Sequence, residues 1–182
     1  MTCIVGLEHK GKVYIGGDSA GVSGYSISTR LDEKVFVNGP FIMGFTGSFR
    51  IGQLLRYSFK PPKHPVNKDD MSYLVTDFVD AARKCYKAKG SLYKNNGDVE
   101  SFKGPFLLGY KGHLYYVGSD FQIGRVADGY DCVGCGAEIA SGAMYVTSTM
   151  SAMTPQNRIE WALRAAEHFS SGVRAPFKVL VK

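Results

Sequence analysis

Apolar positions along this chain change period several times, and each change marks an element. Residues 2–7 alternate in part and favour β-forming types. Gly11 makes a turn, and residues 12–18 read as the returning strand of a hairpin. Residues 19–29 are rich in Gly and Ser and are expected to form a loop. Two more short strands are predicted at 34–37 and 41–46, joined by the turn signal Asn38-Gly39-Pro40. The period then lengthens. Ser48 is placed to cap a helix reaching about residue 59, with Ile51, Leu54 and Leu55 on one face, and Pro61, Pro62 and Pro65 stop it. A longer helix is expected over 69–89, burying Leu74, Val75, Phe78, Val79 and Ala82. Residues 106–110 and 113–117 read as another hairpin around Lys111-Gly112. After Gly136, the small residues Ala137, Ala140, Gly142 and Ala143 suit a closely packed helix. Thr154-Pro155 opens the last helix as N-cap and first-turn proline, with Ile159, Ala162, Leu163, Ala166 and Phe169 as its apolar stripe. A strand closes the chain at 177–181.

Antiparallel pairs in separate blocks, with helices grouped between them, suit a layered α+β architecture better than a parallel doubly wound sheet. No repeat, low-complexity run or linker divides the chain, so residues 1–182 are expected to form a single domain. Neither a P-loop nor a dinucleotide-binding glycine pattern after a strand is present, so no nucleotide cofactor is expected.

Composition is that of an ordinary soluble domain, 45% hydrophobic and 21% charged. No apolar run approaches the roughly 18 residues of a membrane span. The N-terminus lacks a basic segment followed by a long apolar stretch, which favours the cytoplasm and excludes a membrane partner. The net charge of +6 raises the question of nucleic acid, but the basic residues are scattered. Their longest concentration, residues 83–89, reads as the wet end of a helix, so no nucleic-acid partner is expected. Cys132-Val133-Gly134-Cys135 is formally a C-x-x-C, yet no second cysteine pair or paired histidines accompany it, and no metal is expected. His9, His64 and His113 are scattered, which leaves no Ser-His-Asp arrangement.

The remaining chemistry gathers at the start. Removal of Met1 would give Thr2 a hydroxyl and a free α-amine on one residue, and that amine titrates close enough to neutrality to act as its own general base. Lys34 would supply positive potential, and Asp18 would hold Lys34 charged and aimed. The turn Gly44-Phe45-Thr46-Gly47-Ser48 leads from a strand into a helix, where the Gly47 N–H suits a developing oxyanion. Cleavage behind Thr2 would instead expose Cys3, but its place in the strand favours burial.

Thr2, Asp18 in Gly16-Gly17-Asp18-Ser19, Lys34 in Glu33-Lys34-Val35-Phe36 and the turn at 44–48 together resemble the proteasome β-subunit pattern. The likeness is greatest to its simpler bacterial heat-shock-locus peptidase branch. The 16-residue steps from Thr2 to Asp18 and from Asp18 to Lys34 match that family's nucleophile, aspartate and lysine. Cys132-Val133-Gly134-Cys135-Gly136 is similar to the family's strand-to-helix segment, with Cys135 in the place of a serine near the nucleophile's amine. The resemblance is strong over the first fifty residues and weak between Pro61 and Gly104.

It implies a four-layer αββα sandwich, the N-terminal-nucleophile (Ntn) hydrolase fold. It further implies a threonine peptidase with Thr2, Asp18, Lys34, Gly47 and Cys135 in its catalytic machinery. Gly21, Asp32, Thr46, Ser48 and Arg50 would approach the substrate, Asp32 favouring basic side chains and Arg50 acidic ones. Peptide substrates, a homo-oligomeric ring and an unfolding ATPase partner are implied in the same way. Where the family places an aspartate and a following serine, this chain reads Glu167-His168-Phe169-Ser170-Ser171, with His168 nearest the aspartate's place, the acid either lost or replaced by Glu167, and Ser171 as a match for the serine. That departure, with Cys135, keeps a catalytically inert ring subunit open as a second reading, and an acylase of small amides as a third. Ordinary methionine removal is the expected maturation step.

Overall fold

The computed structural model describes residues 1–95 and 99–182. Its strands are β1 Cys3–His9, β2 Lys12–Gly17, β3 Ala20–Ser23, β4 Ser26–Thr29, β5 Val35–Asn38, β6 Phe41–Phe45, β7 Tyr93–Asn95, β8 Val99–Ser101, β9 Phe106–Tyr110, β10 His113–Val117, β11 Ile123–Arg125, β12 Tyr130–Gly134 and β13 Lys178–Val181. The helices are α1 Phe49–Gln53, α2 Asp70–Tyr73, α3 Val79–Ala88, α4 Ala137–Ser148 and α5 Pro155–Phe169. Single π-helical turns, Leu54–Ser58 and Leu74–Phe78, continue α1 and join α2 to α3.

Alternation in β1 decides how these pieces stack. Cys3, Val5 and Leu7 point to one face, where they meet Ala140, Met144, Ile159, Ala162, Leu163 and Ala166 of α4 and α5. Ile4 points to the other face and joins Val13, Ile15, Val35, Ile42, Leu107, Leu114 and Val133, a core shared by two sheets. The first sheet has the order β12-β1-β2-β13 and the second β11-β10-β9-β6-β5, and every pairing in both is antiparallel. The sheets approach closely at Gly6, where an added Cβ would lie 2.7 Å from Leu114. The outer face of the second sheet, with Phe41, Met43, Phe106 and Leu108, packs against Leu54, Leu55, Tyr73, Leu74, Phe78 and Tyr86. The molecule is thus mixed α/β, with helices on the outer faces of two packed sheets.

Three expectations are corrected here. Residues 19–29 are a hairpin, β3 paired with β4, whose two-residue tip carries Gly24 at φ +57°. Its Ser- and Gly-rich strands are mostly exposed, so backbone pairing rather than an apolar pattern defines them. Val75 is 41% exposed, because the π turn inserts one extra residue and turns it out of the stripe. Tyr73 and Tyr86 take the buried places instead. Phe169, expected on the stripe of α5, is also exposed. Thr154 caps α5 through a bond accepted from the Asn157 N–H at 3.2 Å.

Candidate active site

One carboxylate organises the start of the chain. Asp18 follows β2 and is 2% exposed, and Lys34, just before β5, is equally buried. Asp18 Oδ1 accepts from Lys34 Nζ at 2.8 Å and from the Cys3 N–H at 3.0 Å. Asp18 Oδ2 accepts from the Ala20 N–H at 2.8 Å and the Arg174 N–H at 3.3 Å. Four donors, one of them an ammonium, satisfy a charge that burial alone would disfavour. Burial pulls the Lys34 pKa below its ordinary value, and Asp18 opposes that pull by charge and hydrogen bond. A lysine in this setting presents a desolvated positive potential within reach of its neighbours.

Thr2 stands one residue from the N–H that Asp18 holds. It is 3% exposed, and its nitrogen donates to Cys135 Sγ at 3.3 Å. With Met1 present that nitrogen is a peptide amide, and Thr2 Oγ1 donates to the Met1 carbonyl. The Thr2 carbonyl accepts from the Gly136 N–H at 3.4 Å. At Gly134, φ +107°, an added Cβ would run into that same carbonyl, which explains the glycine between the two cysteines. Cys135 therefore lies at the Thr2 nitrogen, whereas Cys132 packs in the core beneath α4 and α5, where burial pushes its thiol up to about 12. The two cysteines of the C-x-x-C serve different environments. Among the described residues no group of three His, Cys, Asp or Glu is arranged to hold a metal ion.

The strand-to-helix turn has the geometry of a donor site. Gly47 is exposed at φ +72°, and an added Cβ would lie 2.6 Å from the Lys103 carbonyl, so only glycine fits. Among the described residues its N–H has no hydrogen-bond acceptor, while the flanking Thr46 and Ser48 N–H groups bond to the Pro105 and Lys103 carbonyls.

The residues expected to approach a substrate divide. Gly21 lies on β3, immediately after the Ala20 that binds Asp18. Asp32 is engaged in a two-pronged ion pair with Arg30, at 2.6 and 2.5 Å. Thr46 is buried, and its hydroxyl donates to the Pro105 carbonyl at 2.7 Å. Ser48 Oγ accepts from the Arg50 N–H at 3.2 Å and so serves as the cap of α1. The Arg50 side chain is exposed and makes no ion pair among the described residues, and its charge is felt by Cys85 in α3.

Several participants are invisible in local sequence. The Arg174 N–H reaches Asp18 from 156 residues away. Glu167 steadies that loop by accepting from the Ala175 N–H at 2.8 Å, and the hydroxyl beside Cys135 is that of Ser170, at 3.5 Å. His168 is exposed and stands edge-on to Phe169.

No protein-family model and no curated protein matches this chain. Solved structures do. BPH from Thiobacillus denitrificans, in complex with epoxomicin, matches 100% of this chain and 98% of its own length, at 18% identity and a TM-score of 0.81. Eukaryotic HslV from Trypanosoma brucei matches 99% of this chain and 98% of its own, at 15% identity and a TM-score of 0.69. Anbu, an ancestral β-subunit from Yersinia bercovieri, matches 100% of this chain and 81% of its own, at 17% identity and a TM-score of 0.67. From end to end, then, the chain has the fold of the proteasome-like Ntn hydrolases.

Proposed function

We propose that this chain is a threonine peptidase that acts through Thr2 once Met1 has been removed. The observation that carries the reading is that one oxygen, Asp18 Oδ1, binds both the Lys34 ammonium and the N–H of the residue after Thr2. The nucleophile's backbone and the cation are thereby fixed to a common point, which is the positioning that an activated hydroxyl needs. In the reaction Thr2 Oγ1 attacks the amide carbonyl carbon, and its proton passes to the Thr2 amine. The Gly47 N–H receives the developing oxyanion. Collapse breaks the C–N bond, the Thr2 ammonium returns the proton to the leaving amine, and an ester on Thr2 remains. Water then adds to the ester with the amine as base, and the acid is released as Thr2 regains its proton. Lys34 favours the neutral amine and the oxyanion by charge, and Cys135 steadies the amine through its thiol.

The same reading takes residues 1–182 as one domain whose stacked helices and sheets form a four-layer αββα sandwich. The free thiols of Cys3, Cys85, Cys132 and Cys135 accord with a reducing, cytoplasmic setting. A homo-oligomer is part of it too. A groove of about 700 Å³ between α4 and α5 is lined by Val146, Met150 and Trp161, and Trp161 is 61% exposed. Apolar surface of that kind calls for a cover.

The test uses the Met1-free chain. Incubation with epoxomicin, the compound held by the Thiobacillus neighbour, should add one inhibitor mass, and a Thr2→Ala variant should stay unmodified and lose peptide hydrolysis while unfolding at wild-type denaturant concentration. A folded Thr2→Ala chain with undiminished turnover removes the proposal. A second reading, an inert ring subunit, draws on the thiol of Cys135 and on Glu167, which binds the 170–176 loop and not Thr2. Failure of the Met1-free chain both to take up epoxomicin and to hydrolyse peptides would favour it.

A further inference from the structure

A second ion pair lies one aromatic ring away from the buried one. The Phe49 ring centroid is 5.7 Å from Lys34 Nζ and 3.9 Å from the guanidinium carbon of Arg30. Arg30 reaches Asp32 through both Nε and Nη2, at 2.6 and 2.5 Å, so that carboxylate is fully claimed by its fork. The stem of Arg30 lies along Gly21, where an added Cβ would sit 2.8 Å from Arg30 Cδ. Gly21, Ile27, Ser28, Arg30 and Phe49 line a cavity of about 240 Å³ beside β3 and β4. Apart from Arg30, which Asp32 holds from outside the lining, this wall is built of hydroxyls, glycine and apolar carbon.

We propose that the Arg30–Asp32 pair makes this pocket electrically neutral and thereby selects peptides with an uncharged side chain on the acyl side of the cut. The proposal rests on the peptidase reading given above. Each partner masks the selectivity the other would exert alone. A cationic side chain entering the pocket meets Arg30, whereas the charge an anionic one would seek on Arg30 is already held by Asp32 from outside the lining. A role in stability is a weak rival explanation, because both side chains are more than one-third exposed and such pairs contribute little to folding. The hydrogen bond to Asp32 holds the Arg30 pKa above its ordinary value and the bond from Arg30 holds that of Asp32 below, so the pair is ionised at neutral pH.

The experiment compares kcat/KM of the Met1-free chain on fluorogenic peptides in which each of the three residues before the leaving group is set in turn to Leu, Lys or Glu. Wild type should favour Leu over both charged residues at one of these positions. There, Arg30→Gln should raise the Lys-to-Glu ratio and Asp32→Asn should lower it, each by at least about threefold and chiefly through KM, the scale of a partly exposed charge pair. Carrying both substitutions should return the ratio to that of wild type. Ratios that move together, or that stay within threefold of wild type, overturn the proposal even when epoxomicin modifies Thr2. Absence of both modification and turnover removes it along with the peptidase reading.

Discussion

At the scale of single residues, the Asp18–Lys34 pair is asymmetric. Removing the lysine leaves the carboxylate with three backbone N–H donors, whereas removing the aspartate orphans those donors and a buried ammonium together. Asp18→Ala should therefore cost about 3–5 kcal/mol and Lys34→Met a smaller amount, about 1–3 kcal/mol, in urea unfolding. An equal or reversed order would show that the backbone donors find other acceptors. The pH dependence has a definite sign. Burial lowers the Lys34 pKa in the folded chain, so between that lowered value and the ordinary 10.5 the unfolded chain binds more protons. Stability contributed by this residue is lost as pH falls through the folded value and rises as pH climbs through the window. The difference in unfolding free energy between wild type and Lys34→Met should shift toward wild type as pH is raised to 10.5, and a shift the other way would contradict this placement.

Elements end where side chains supply the missing partners. The π turn after α1 stops at Ser58, and Asn38 satisfies its exit by donating from Nδ2 to the Leu55 and Phe59 carbonyls, at 2.7 and 2.9 Å. The residue therefore has two tasks, opening the turn between β5 and β6 and closing a helix 17 to 21 residues later. Asn38→Ala should destabilise the chain by about 1–3 kcal/mol, since two carbonyls near the core lose their donor, and chemical denaturation would measure it. A loss below about 0.5 kcal/mol would mean that solvent replaces the amide freely. Periodicity alone locates α1 and α3 well but misplaces Val75, which the π turn carries out of the stripe while Phe78, Val79 and Ala82 keep their buried places. The hairpin of β3 and β4 escapes the pattern for a different reason: β4 is exposed throughout and β3 buries only Ala20, so neither carries an alternation.

For the whole molecule, the exposed groove between α4 and α5 bears on association. If a second copy covers it, the 19.9 kDa chain should elute and scatter as a multiple of that mass, and Trp161→Asp should lower the mass while leaving the monomer's helical signal intact. A wild-type monomer at high concentration would count against the proposed homo-oligomer. The basic run near the end of α3 is partly neutralised within the chain, with Arg83 and Lys87 both near Glu100, at 3.9 and 3.7 Å. Net charge thus says less about partners than its total suggests.

Sequence by itself determined the apolar faces that stack helices and sheets, and it marked Thr2, Asp18, Lys34 and Gly47 through residue types whose chemistry is local. Cys135 is flagged only by resemblance, as the residue in the place of the family's serine near the nucleophile's amine. Only the tertiary structure decided what those groups meet. Asp18 takes a donor from Arg174, Asp32 is paired with Arg30, and Arg50 is exposed and makes no ion pair among the described residues. The physical reason is range. Burial periodicity and turn chemistry act between near neighbours along the chain, whereas the partners of a buried charge are chosen by which loops close over it.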